Sequence, residues 1–414
     1  MEAAGTGFRM FGTDMADHKK KMPPRKNGPE SLSRLPGLFS DFFNSEKSGG
    51  LVLVCCTVIS LALANSPWAA AYLGTWHTEV AGHPLEYWIN DGLMAVFFLL
   101  VGLELKREIF AGRLSDLKSA SLPIFAALGG MLVPAALFLA FNLGLDTRSG
   151  AGIPMATDIA FAVGILSLLG NRVPASLKVF LTALAVIDDL GAIIVIAVFY
   201  TASISFVYLA AALGILLLLS GLNRLKVSSL WPYLSGGLLA WYCMLHSGVH
   251  ATVTGVLLAF VIPFGDGGKK TPSYVLQHVL HRPVAFLVMP VFALANTGIV
   301  MHEGWYRGLG SPAGMGIILG LVLGKPLGIW LFSLGTVAAG WCALPAGLSW
   351  KQLAGAGCLG GIGFTMSIFI TLLAFDDPVW VDQAKTAILA ASVAAGILGY
   401  LWLHLALRKD PAGS

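Results

Sequence analysis

Charged side chains are scarce in this sequence. Asp, Glu, Lys and Arg make up 12% of its 414 residues, whereas hydrophobic residues make up 56%. Soluble domains carry about 25% charged residues, and the mean hydropathy of +0.78 points the same way. Apolar runs near the ~20 residues that a helix needs to cross a bilayer recur about twelve times, separated by short polar turns. The sequence therefore predicts an all-α polytopic membrane protein with twelve transmembrane helices and excludes a sizeable soluble domain.

The sequence also lacks the cysteine spacing of a disulfide framework or a zinc site. Its five cysteines lie in or beside apolar runs, without a CxxC or Cys/His pattern. We also expect no resident cofactor and no nucleic-acid partner. The basic stretch KKKMPPRK at residues 19–26 has no apolar segment behind it and does not fit a secretory signal. We predict a disordered cytoplasmic tail over residues 1–37, one membrane domain over residues 38–408 and a short cytoplasmic tail over residues 409–414.

Basic residues are rare in the predicted outer loops. With twelve spans and a cytoplasmic N-terminus, these loops contain only Arg148, Arg307 and Lys385. Lys325 lies within a span, and the other 22 of the 26 Lys and Arg residues fall in cytoplasmic segments. Because Lys and Arg concentrate in cytoplasmic loops, this skew supports the number of spans and predicts that both termini are cytoplasmic.

Two adjacent carboxylates, Asp188 and Asp189, interrupt the apolar run KVFLTALAVIDDLGAIIVIAVFY. A charged side chain at a bilayer centre costs roughly 2.5 to 3.5 kcal/mol on insertion scales, and two like charges side by side add repulsion. Ionisable residues within membrane spans generally mark a functional site, so we predict that this pair belongs to one. The alternative is structural, with the pair lining a water-filled gap or contributing to a helix contact.

A third carboxylate, Asp158, follows Thr157 in the preceding span, PMATDIAFAVG. The threonine hydroxyl can donate an oxygen to a cation. Pro154 and Gly164 flank the two residues, and an interrupted helix here would expose backbone carbonyls at mid-membrane. Thr and Asp are also good helix N-caps. Both interpretations are compatible, because a half-helix that starts at mid-membrane needs a cap.

Lys325, in GLVLGKPLGIW, is the only Lys or Arg deep within a predicted span. An unpaired ammonium group in lipid would lose its proton or be expelled, so we expect an aspartate of the adjacent pair as its partner. A second interrupted span is indicated by CLGGIGFTMSIF, whose notable residues are Gly360, Gly361, Gly363 and Thr365. Close helix packing through small residues explains that glycine pattern equally well.

Two spans interrupted by Gly or Pro, one in each half of the chain, indicate a transporter of inverted repeats with a site near mid-membrane. Three carboxylates and one lysine fit a proton-coupled cation path. With all four groups ionised, the net charge of minus two is neutralised by two protons, whereas one monovalent cation leaves minus one. Exchange of two protons for one sodium ion would therefore move charge. Repulsion between the buried carboxylates favours protonation, which lets protons compete with the cation.

Six long motifs carry a family resemblance. In chain order they are NDGLMAVFFLLVGLELKRE, TDIAFAVGILSLLGNRVP, LAVIDDLGAIIVIAVFYT, HSGVHATVTGV, GKPLGI and GGIGFTMSIF. Almost letter for letter, they resemble the NhaA family of bacterial sodium/proton antiporters, and the resemblance extends from Leu38 to Leu407. It implies twelve helices, two of which are unwound and cross at mid-membrane, in an architecture of inverted repeats for which this family is a standard example.

The resemblance assigns cation and proton binding to Asp158 and Asp189, with Thr157 lining the site and Asp188 beside it. Asp188 would pair with Lys325, while Asp158 and Lys325 would offset the exposed ends of the unwound helices. Helix geometry agrees with this division, because adjacent residues lie about 100° apart and cannot both face one ion. The resemblance implies pH-regulated, electrogenic exchange of Na⁺ or Li⁺ for H⁺ across the bacterial inner membrane, with more protons entering than sodium ions leaving.

The family also implies a homodimer, held partly by a hairpin between the first two spans. The predicted outer loop GTWHTEVAGHPLEYW contains β-forming residues around Ala81 and Gly82. Such residues on both sides of a turn predict a short β-hairpin. We therefore expect a second copy of the chain and the lipid bilayer as partners.

A cytoplasmic funnel of charged residues governs the pH response in this family. Glu104, Arg107 and Glu108 match the funnel, and His250 and Asp91 match other positions linked to pH response or transport. A solvated helix end with ordinary charge pairs explains the LELKRE segment equally well. A lone histidine near the start of a span is more often a satisfied interface residue than a sensor.

The chain departs from the family pattern at the start of the ninth predicted span, TPSYVLQHVLHRPVAF. Gln277 stands at the position of a funnel glutamate, and Tyr274 and Val275 stand at basic positions. Because Gln277 does not titrate, we expect a pH profile that is broader or shifted. Competition between protons and sodium at Asp158 and Asp189 would still silence the carrier at acid pH.

Two other classes of protein fit parts of the pattern. An intramembrane aspartyl protease would use Asp158 with Asp188 or Asp189 as a dyad sharing one proton. The chain has no GxGD sequence, however, and an adjacent aspartate and a buried lysine are surplus to that chemistry. A proton-coupled symporter of an organic anion would use Lys325 as the counter-charge, but the excess of carboxylates favours a cation. We therefore predict a transporter and not an enzyme.

Overall fold

A computed structural model describes residues 35–112, 115, 117–201, 204–301 and 304–408, with side chains from residue 48 onward except at 117–119 and 171. Contacts within the chain separate residues 1–41, of which only the start of the first helix is described, from residues 42–414, which contain the site. The predicted tails lie outside the described residues, except for residues 35–37 at the start of that helix. Disorder of the tails stays a prediction.

The described part of the chain is helical almost throughout. The first nine helices are α1 (Leu35–Ala64), α2 (Ala69–Trp76), α3 (Leu85–Tyr87), α4 (Met94–Ala111), α5 (Leu117–Asn142), α6 (Ile159–Leu168), α7 (Ala175–Phe199), α8 (Phe206–Arg224) and α9 (Trp231–Leu245). The others are α10 (Val253–Val261), α11 (Pro272–Pro283), α12 (Met289–Asn296), α13 (Pro312–Leu319), α14 (Lys325–Ala338), α15 (Trp350–Gly360), α16 (Phe364–Ala374) and α17 (Pro378–Ala406).

Several consecutive helices form longer helical segments that are suited to cross a membrane. Among the described residues, seven helical segments are long and apolar enough to do so, or ten if each of three bent helix pairs forms one span. The architecture is therefore all-α and polytopic. The predicted twelve spans would also require α9 and α10, which have 15 and 9 residues. At 1.5 Å per residue both are shorter than the ~30 Å hydrocarbon core, so the number twelve stays a prediction.

Both stretches that the sequence indicated as interrupted contain a break of three residues between two helical segments. A 3₁₀ segment, Asp146–Met155, is followed by three extended residues before α6 begins, with a bend of 42°. Likewise α15 ends at Gly360 and α16 begins at Phe364, with a bend of 47°. Pro154 lacks a backbone N–H and disfavours helical geometry in the residue before it. Glycines at positions 360, 361 and 363 lower the helix propensity of the second stretch.

Glycine contacts bring the helices around these breaks to backbone distance. Gly129 of α5 lies directly against the backbone of Gly328 in α14, and Gly255 of α10 lies against the backbone of Ala95 in α4. A Cβ atom at either glycine would overlap a carbonyl oxygen of the neighbouring helix. Small residues that allow such close approach are typical of helix contacts in membranes. They hold α14 and α4, the helices that carry Lys325 and Glu104, against their neighbours.

A short hairpin connects α2 to α3. Strands β1 (Glu79–Val80) and β2 (His83–Pro84) pair in antiparallel fashion. The turn residues Ala81 and Gly82 have φ values of 52° and 84°, the two positive values that a type I′ turn requires. The predicted hairpin is confirmed, while its part in a homodimer stays a prediction.

Candidate functional site

The two helix interruptions are hydrogen-bonded to each other. The backbone N–H of Asp158, in the first interruption, donates to the carbonyl oxygen of Ile362 in the second at 2.7 Å. Ser367, in the first turn after the second interruption, donates through Oγ to the carbonyl oxygen of Ile153 at 2.7 Å. Buried backbone groups that lose their helical partners need others. Here each interruption supplies partners for the other.

Asp158 binds the N-terminal ends of two half-helices. It is the N-cap of α6, where its Oδ1 accepts a hydrogen bond from Phe161 N–H at 3.1 Å. Its Oδ2 accepts from the N–H of Thr365, in the first turn of α16, at 3.2 Å, and also from the Thr365 hydroxyl. Helix N-termini carry partial positive charge, which stabilises a carboxylate. The N-cap interpretation of Asp158 is confirmed, and it is compatible with a place in a cation site.

Lys325 and Asp188 form a buried ion pair. Lys325 Nζ lies 2.6 Å from Asp188 Oδ2, and both side chains are fully buried. The ammonium group also donates to the carbonyl oxygen of Met155, at the C-terminal end of the 3₁₀ segment, where helical carbonyls carry partial negative charge. Thr157 Oγ1 lies 2.6 Å from Asp188 Oδ2 and 2.9 Å from the carbonyl oxygen of Gly360. The Thr157 hydroxyl therefore donates to Asp188 or to the carbonyl oxygen of Gly360, and not to Asp189.

Asp189 follows Asp188 in α7 but faces another direction. Adjacent residues of a helix lie about 100° apart, so Asp188 meets Lys325 while Asp189 lines a cavity. Asp189 is 3% exposed, and its Oδ1 has no hydrogen-bond partner among the described residues. A buried acceptor without a partner is unfavourable. A bound cation or proton would satisfy this oxygen.

A cavity of about 50 Å³ brings Asp189, Asp158 and Thr157 together. One water molecule needs roughly 10 to 15 Å³ of such space, so a small cation with a few water molecules fits. Glu104 of α4 and His281 of α11 also line the cavity, and Oε1 of the glutamate lies 3.8 Å from Nδ1 of the histidine. The wall is otherwise mostly apolar and includes Phe97, Leu100, Val101, Val186, Met289 and Met366.

Glu104 is the one predicted pH-response residue that lines the described cavity. Arg107, one turn further along α4, lies over the ring of Tyr274, with 5.1 Å between the guanidinium carbon and the ring centroid. This distance is within the range of a cation–π interaction. Glu108 is half-buried in the last turn of α4. Tyr274, which stands where the resemblance implies a basic residue, thus contacts Arg107, one of the predicted funnel residues.

His250 and Asp91 are not among the described residues that line the cavity. His250 lies between α9 and α10, and its Nε2 is 2.7 Å from the carbonyl oxygen of Tyr200. Asp91 lies in a π-helical turn before α4, where its carbonyl oxygen accepts a hydrogen bond from Trp241 Nε1 at 3.4 Å. A role for either residue in the pH response stays a prediction.

Lys106 does not fit the interpretation of a solvated helix end. Its side chain is 4% exposed. Nζ donates to three backbone carbonyls at the C-terminal end of α10, those of Ala259 at 3.2 Å, Phe260 at 2.8 Å and Ile262 at 2.5 Å. A cation is favourable at a helix C-terminus, and all three ammonium N–H groups are used. The solvated interpretation is wrong for Lys106, which fastens α4 to α10.

The contacts of Thr365 and Ser392 were not expected from the sequence. Thr365 was singled out only as part of a glycine-rich motif, although its hydroxyl, just after the break, donates to Asp158 Oδ2. Ser392 Oγ accepts a hydrogen bond from Phe364 N–H at 3.1 Å. Ser392 stands in the plain apolar run AILAASVAAGIL, which carries no signal of such a contact.

Comparison with known proteins gives one consistent family. The family model described as Na⁺/H⁺ antiporter 1 matches residues 40–403. The chain is 64% identical over 377 residues to Na(+)/H(+) antiporter NhaA 1 of Flavobacterium johnsoniae, covering 91% of this chain and 99% of the relative. It is 59% identical over 385 residues to Na(+)/H(+) antiporter NhaA of Dechloromonas aromatica, covering 92% and 99%. It is 49% identical over 388 residues to Na(+)/H(+) antiporter NhaA 2 of Pseudomonas syringae, covering 93% and 98%. The chain belongs to the NhaA family of Na⁺/H⁺ antiporters, the family that its motifs resemble.

Proposed function

We propose that this protein is a secondary active antiporter of the bacterial inner membrane that exchanges Na⁺ or Li⁺ for H⁺. The observation that carries the proposal is the cavity shared by Asp158, Asp189 and Thr157, where a buried oxygen of Asp189 has no partner among the described residues. Family membership supports the same function, because relatives with 49% to 64% identity are named Na⁺/H⁺ antiporters.

Sodium would bind between the carboxylates of Asp158 and Asp189. An ionised carboxylate offers about four lone-pair sites, and Asp158 already accepts from the Phe161 N–H, the Thr365 N–H and the Thr365 hydroxyl. About one acceptor position is therefore left for Na⁺. Protonation removes the negative charge that attracts Na⁺, so protons and sodium compete for the same carboxylates. A site that is occupied by one or the other, and that opens alternately to each side, couples their opposite fluxes.

The proposed exchange is electrogenic, with more protons entering than sodium ions leaving. The Lys325–Asp188 ion pair compensates one of the three buried carboxylates. Asp158 and Asp189 then remain as two proton acceptors, and their two negative charges are only half neutralised by one Na⁺. The protonated and sodium-bound forms of the site therefore differ by one charge.

The finer architecture is part of the same proposal. The ten candidate spans together with α9 and α10 make twelve, with the two hydrogen-bonded interruptions as unwound, crossing segments at mid-membrane. The skewed distribution of Lys and Arg supports cytoplasmic termini.

The hairpin of β1 and β2 is exposed and is available to a second copy of the chain in a homodimer. Regulation by pH would act at the cavity wall that contains Glu104 and His281.

Reconstituted liposomes test the proposed exchange. With a preset pH gradient, external Na⁺ or Li⁺ should dissipate the gradient, whereas K⁺ should have little effect because the cavity is small and lined by carboxylates. Liposomes that contain the Asp189→Asn variant are the control. An equal response to K⁺, or no response to Na⁺ anywhere between about pH 7 and 9, would contradict the assignment.

The same liposomes test whether the exchange moves charge. When K⁺ and valinomycin clamp the membrane potential, the Na⁺-driven proton flux should rise, because charge no longer accumulates against it. An unchanged rate would contradict the unequal numbers of protons and sodium ions while leaving the antiport itself in place.

A further inference from the structure

The half-helix α16 begins without a side-chain cap of its own. Its N-cap is Gly363, which has no side chain to accept a hydrogen bond. The first N–H groups of a helix have no intrahelical acceptor, and two of them are bonded here by other elements. Phe364 N–H donates to Ser392 Oγ at 3.1 Å, and Thr365 N–H donates to Asp158 Oδ2 at 3.2 Å. The N-terminus of α16 is thus shared between a carboxylate of the proposed cation site and a serine hydroxyl.

Ser392 reaches this position from α17, which is not one of the interrupted spans. The serine is 6% exposed, and its hydrogen bond with Phe364 is buried. Helix α17 packs along α13 and α15 as well as α16, so contacts beyond α16 also hold the hydroxyl in place. Removing the hydroxyl would leave the Phe364 N–H buried without this acceptor, which is unfavourable.

We propose that Ser392 is a positioning residue that sets the affinity of the site for Na⁺ by limiting the hydrogen bonds that α16 makes to Asp158. While Ser392 accepts from Phe364, Asp158 accepts only from Thr365 on this half-helix. The inference rests on the proposed function, because it requires that Na⁺ binds at Asp158.

The physical reason lies in the competition for the lone pairs of Asp158. Without the serine hydroxyl, the Phe364 N–H needs another acceptor, and the next N–H of the same turn already points at the carboxylate. A further N–H bond would stabilise the carboxylate in the absence of a cation and would occupy a lone pair that Na⁺ uses. Na⁺ would therefore bind more weakly, although the hydroxyl of Ser392 itself never touches the ion.

Isothermal titration of the purified protein with NaCl in detergent tests the proposal. Ser392→Ala should raise the Kd for Na⁺ about fivefold, the scale of one hydrogen bond. Ser392→Thr keeps the hydroxyl and should restore the wild-type Kd. The matched control is Ser333→Ala, because Ser333 is a fully buried serine of α14 whose hydroxyl has no partner in the described part of the chain. Its Kd should stay within about twofold of wild type.

Transport kinetics separate positioning from a loss of folded protein. Ser392→Ala should raise the half-saturating Na⁺ concentration and leave the maximal rate per folded protein unchanged. The proposal is overturned if the Kd of Ser392→Ala equals that of wild type. It is also overturned if Ser392→Thr behaves like Ser392→Ala, or if Ser333→Ala shifts the Kd as much.

A second variant covers the case in which Ser392→Ala does not fold. Ser392→Cys places a weaker acceptor at the same position and should give an intermediate rise in Kd, whereas an unchanged Kd would contradict the proposal.

Failure of the proposed function looks different. Wild-type protein that binds Na⁺ but shows no Na⁺-driven proton flux would overturn antiport, and the Kd comparison would still decide the role of Ser392. Wild-type protein that binds no Na⁺ would overturn both.

Discussion

Asp158 and Asp189 line one cavity, and the proposed chemistry of both depends on a carboxylate that can hold a proton or a cation. Replacing either residue by Asn should abolish exchange while leaving the protein in the membrane. Asn keeps the shape of Asp but has neither its charge nor a proton to exchange. The measurement is Na⁺-driven proton flux per amount of folded protein in liposomes.

An exposed carboxylate provides the control for these two variants. Asp382 lies on the exposed side of the first turns of α17, and Asp382→Asn should keep the wild-type flux. Unimpaired exchange in Asp189→Asn would show that the ion binds elsewhere.

Lys325 should matter for stability as well as for transport. Lys325→Ala would strand the buried charge of Asp188 and remove the donor to the carbonyl oxygen of Met155. Removing one partner of a buried ion pair lowers the free energy of unfolding by roughly 3 to 5 kcal/mol in soluble proteins. We expect a clearly lower melting midpoint in detergent, whereas Lys351→Ala, at an exposed lysine, should melt like wild type.

A double variant isolates the ion pair from other effects of the substitution. Because Asp188→Asn removes the stranded charge, Lys325→Ala combined with Asp188→Asn should melt above Lys325→Ala alone. An unchanged melting midpoint in Lys325→Ala would show that the ion pair between Lys325 and Asp188 does not stabilise the protein.

At the scale of elements, Lys106 fastens the end of α10 to α4 through three hydrogen bonds. Lys106→Met keeps the length and the apolar stem of the side chain but leaves three carbonyl oxygens without their charged donor. We expect the free energy of unfolding to fall by roughly 2 kcal/mol or more. Melting midpoints in detergent measure this, with Lys269→Met at an exposed lysine as the control. Equal melting midpoints for the two variants would show that the hydrogen bonds from Lys106 to the end of α10 do not stabilise the protein.

The interruptions of two helices were predictable from local sequence, but their partners were not. Pro154 and the glycines around residue 361 act on the backbone within one turn, and the breaks occur there. The N-cap role of Asp158 follows the same local rule. That Asp158 also binds the first turn of α16, 207 residues later at Thr365, depends on how two distant spans meet.

At the scale of the whole molecule, transport should depend on pH because protons and Na⁺ compete for one site. As pH falls, the proton concentration rises and displaces Na⁺, so activity should be low near about pH 6.5 and rise toward about 8. Gln277→Glu introduces a titratable group at a position that the family resemblance assigns to the funnel, and it should shift or narrow this profile. Exchange is measured against pH at several Na⁺ concentrations, with Gln277→Asn as the uncharged control.

The outcome distinguishes two origins of the pH response. If Gln277→Glu leaves the profile untouched at every Na⁺ concentration, position 277 does not set the response and competition at the site accounts for it. If the wild-type protein shows no pH dependence, the competition explanation is itself wrong.

The sequence by itself determined that this chain crosses a membrane, where two of its spans break and which ionisable residues lie inside. The effects of hydropathy, proline and glycine on the backbone extend over one or two helical turns. They can therefore be predicted from a contiguous stretch of sequence. The family resemblance added the pairing of Asp188 with Lys325, which the residues alone had left open between two adjacent aspartates.

Only the tertiary structure decided which groups satisfy one another across the molecule. Lys106 bonds to carbonyls more than 150 positions away, and Thr157 lies beside Asp188 and not Asp189. Ser392 caps a helix that it does not belong to. Such contacts depend on the positions of all the packed helices at once, because a hydrogen bond requires its two atoms to meet within about 0.5 Å of a fixed distance. No local pattern in the sequence specifies that meeting.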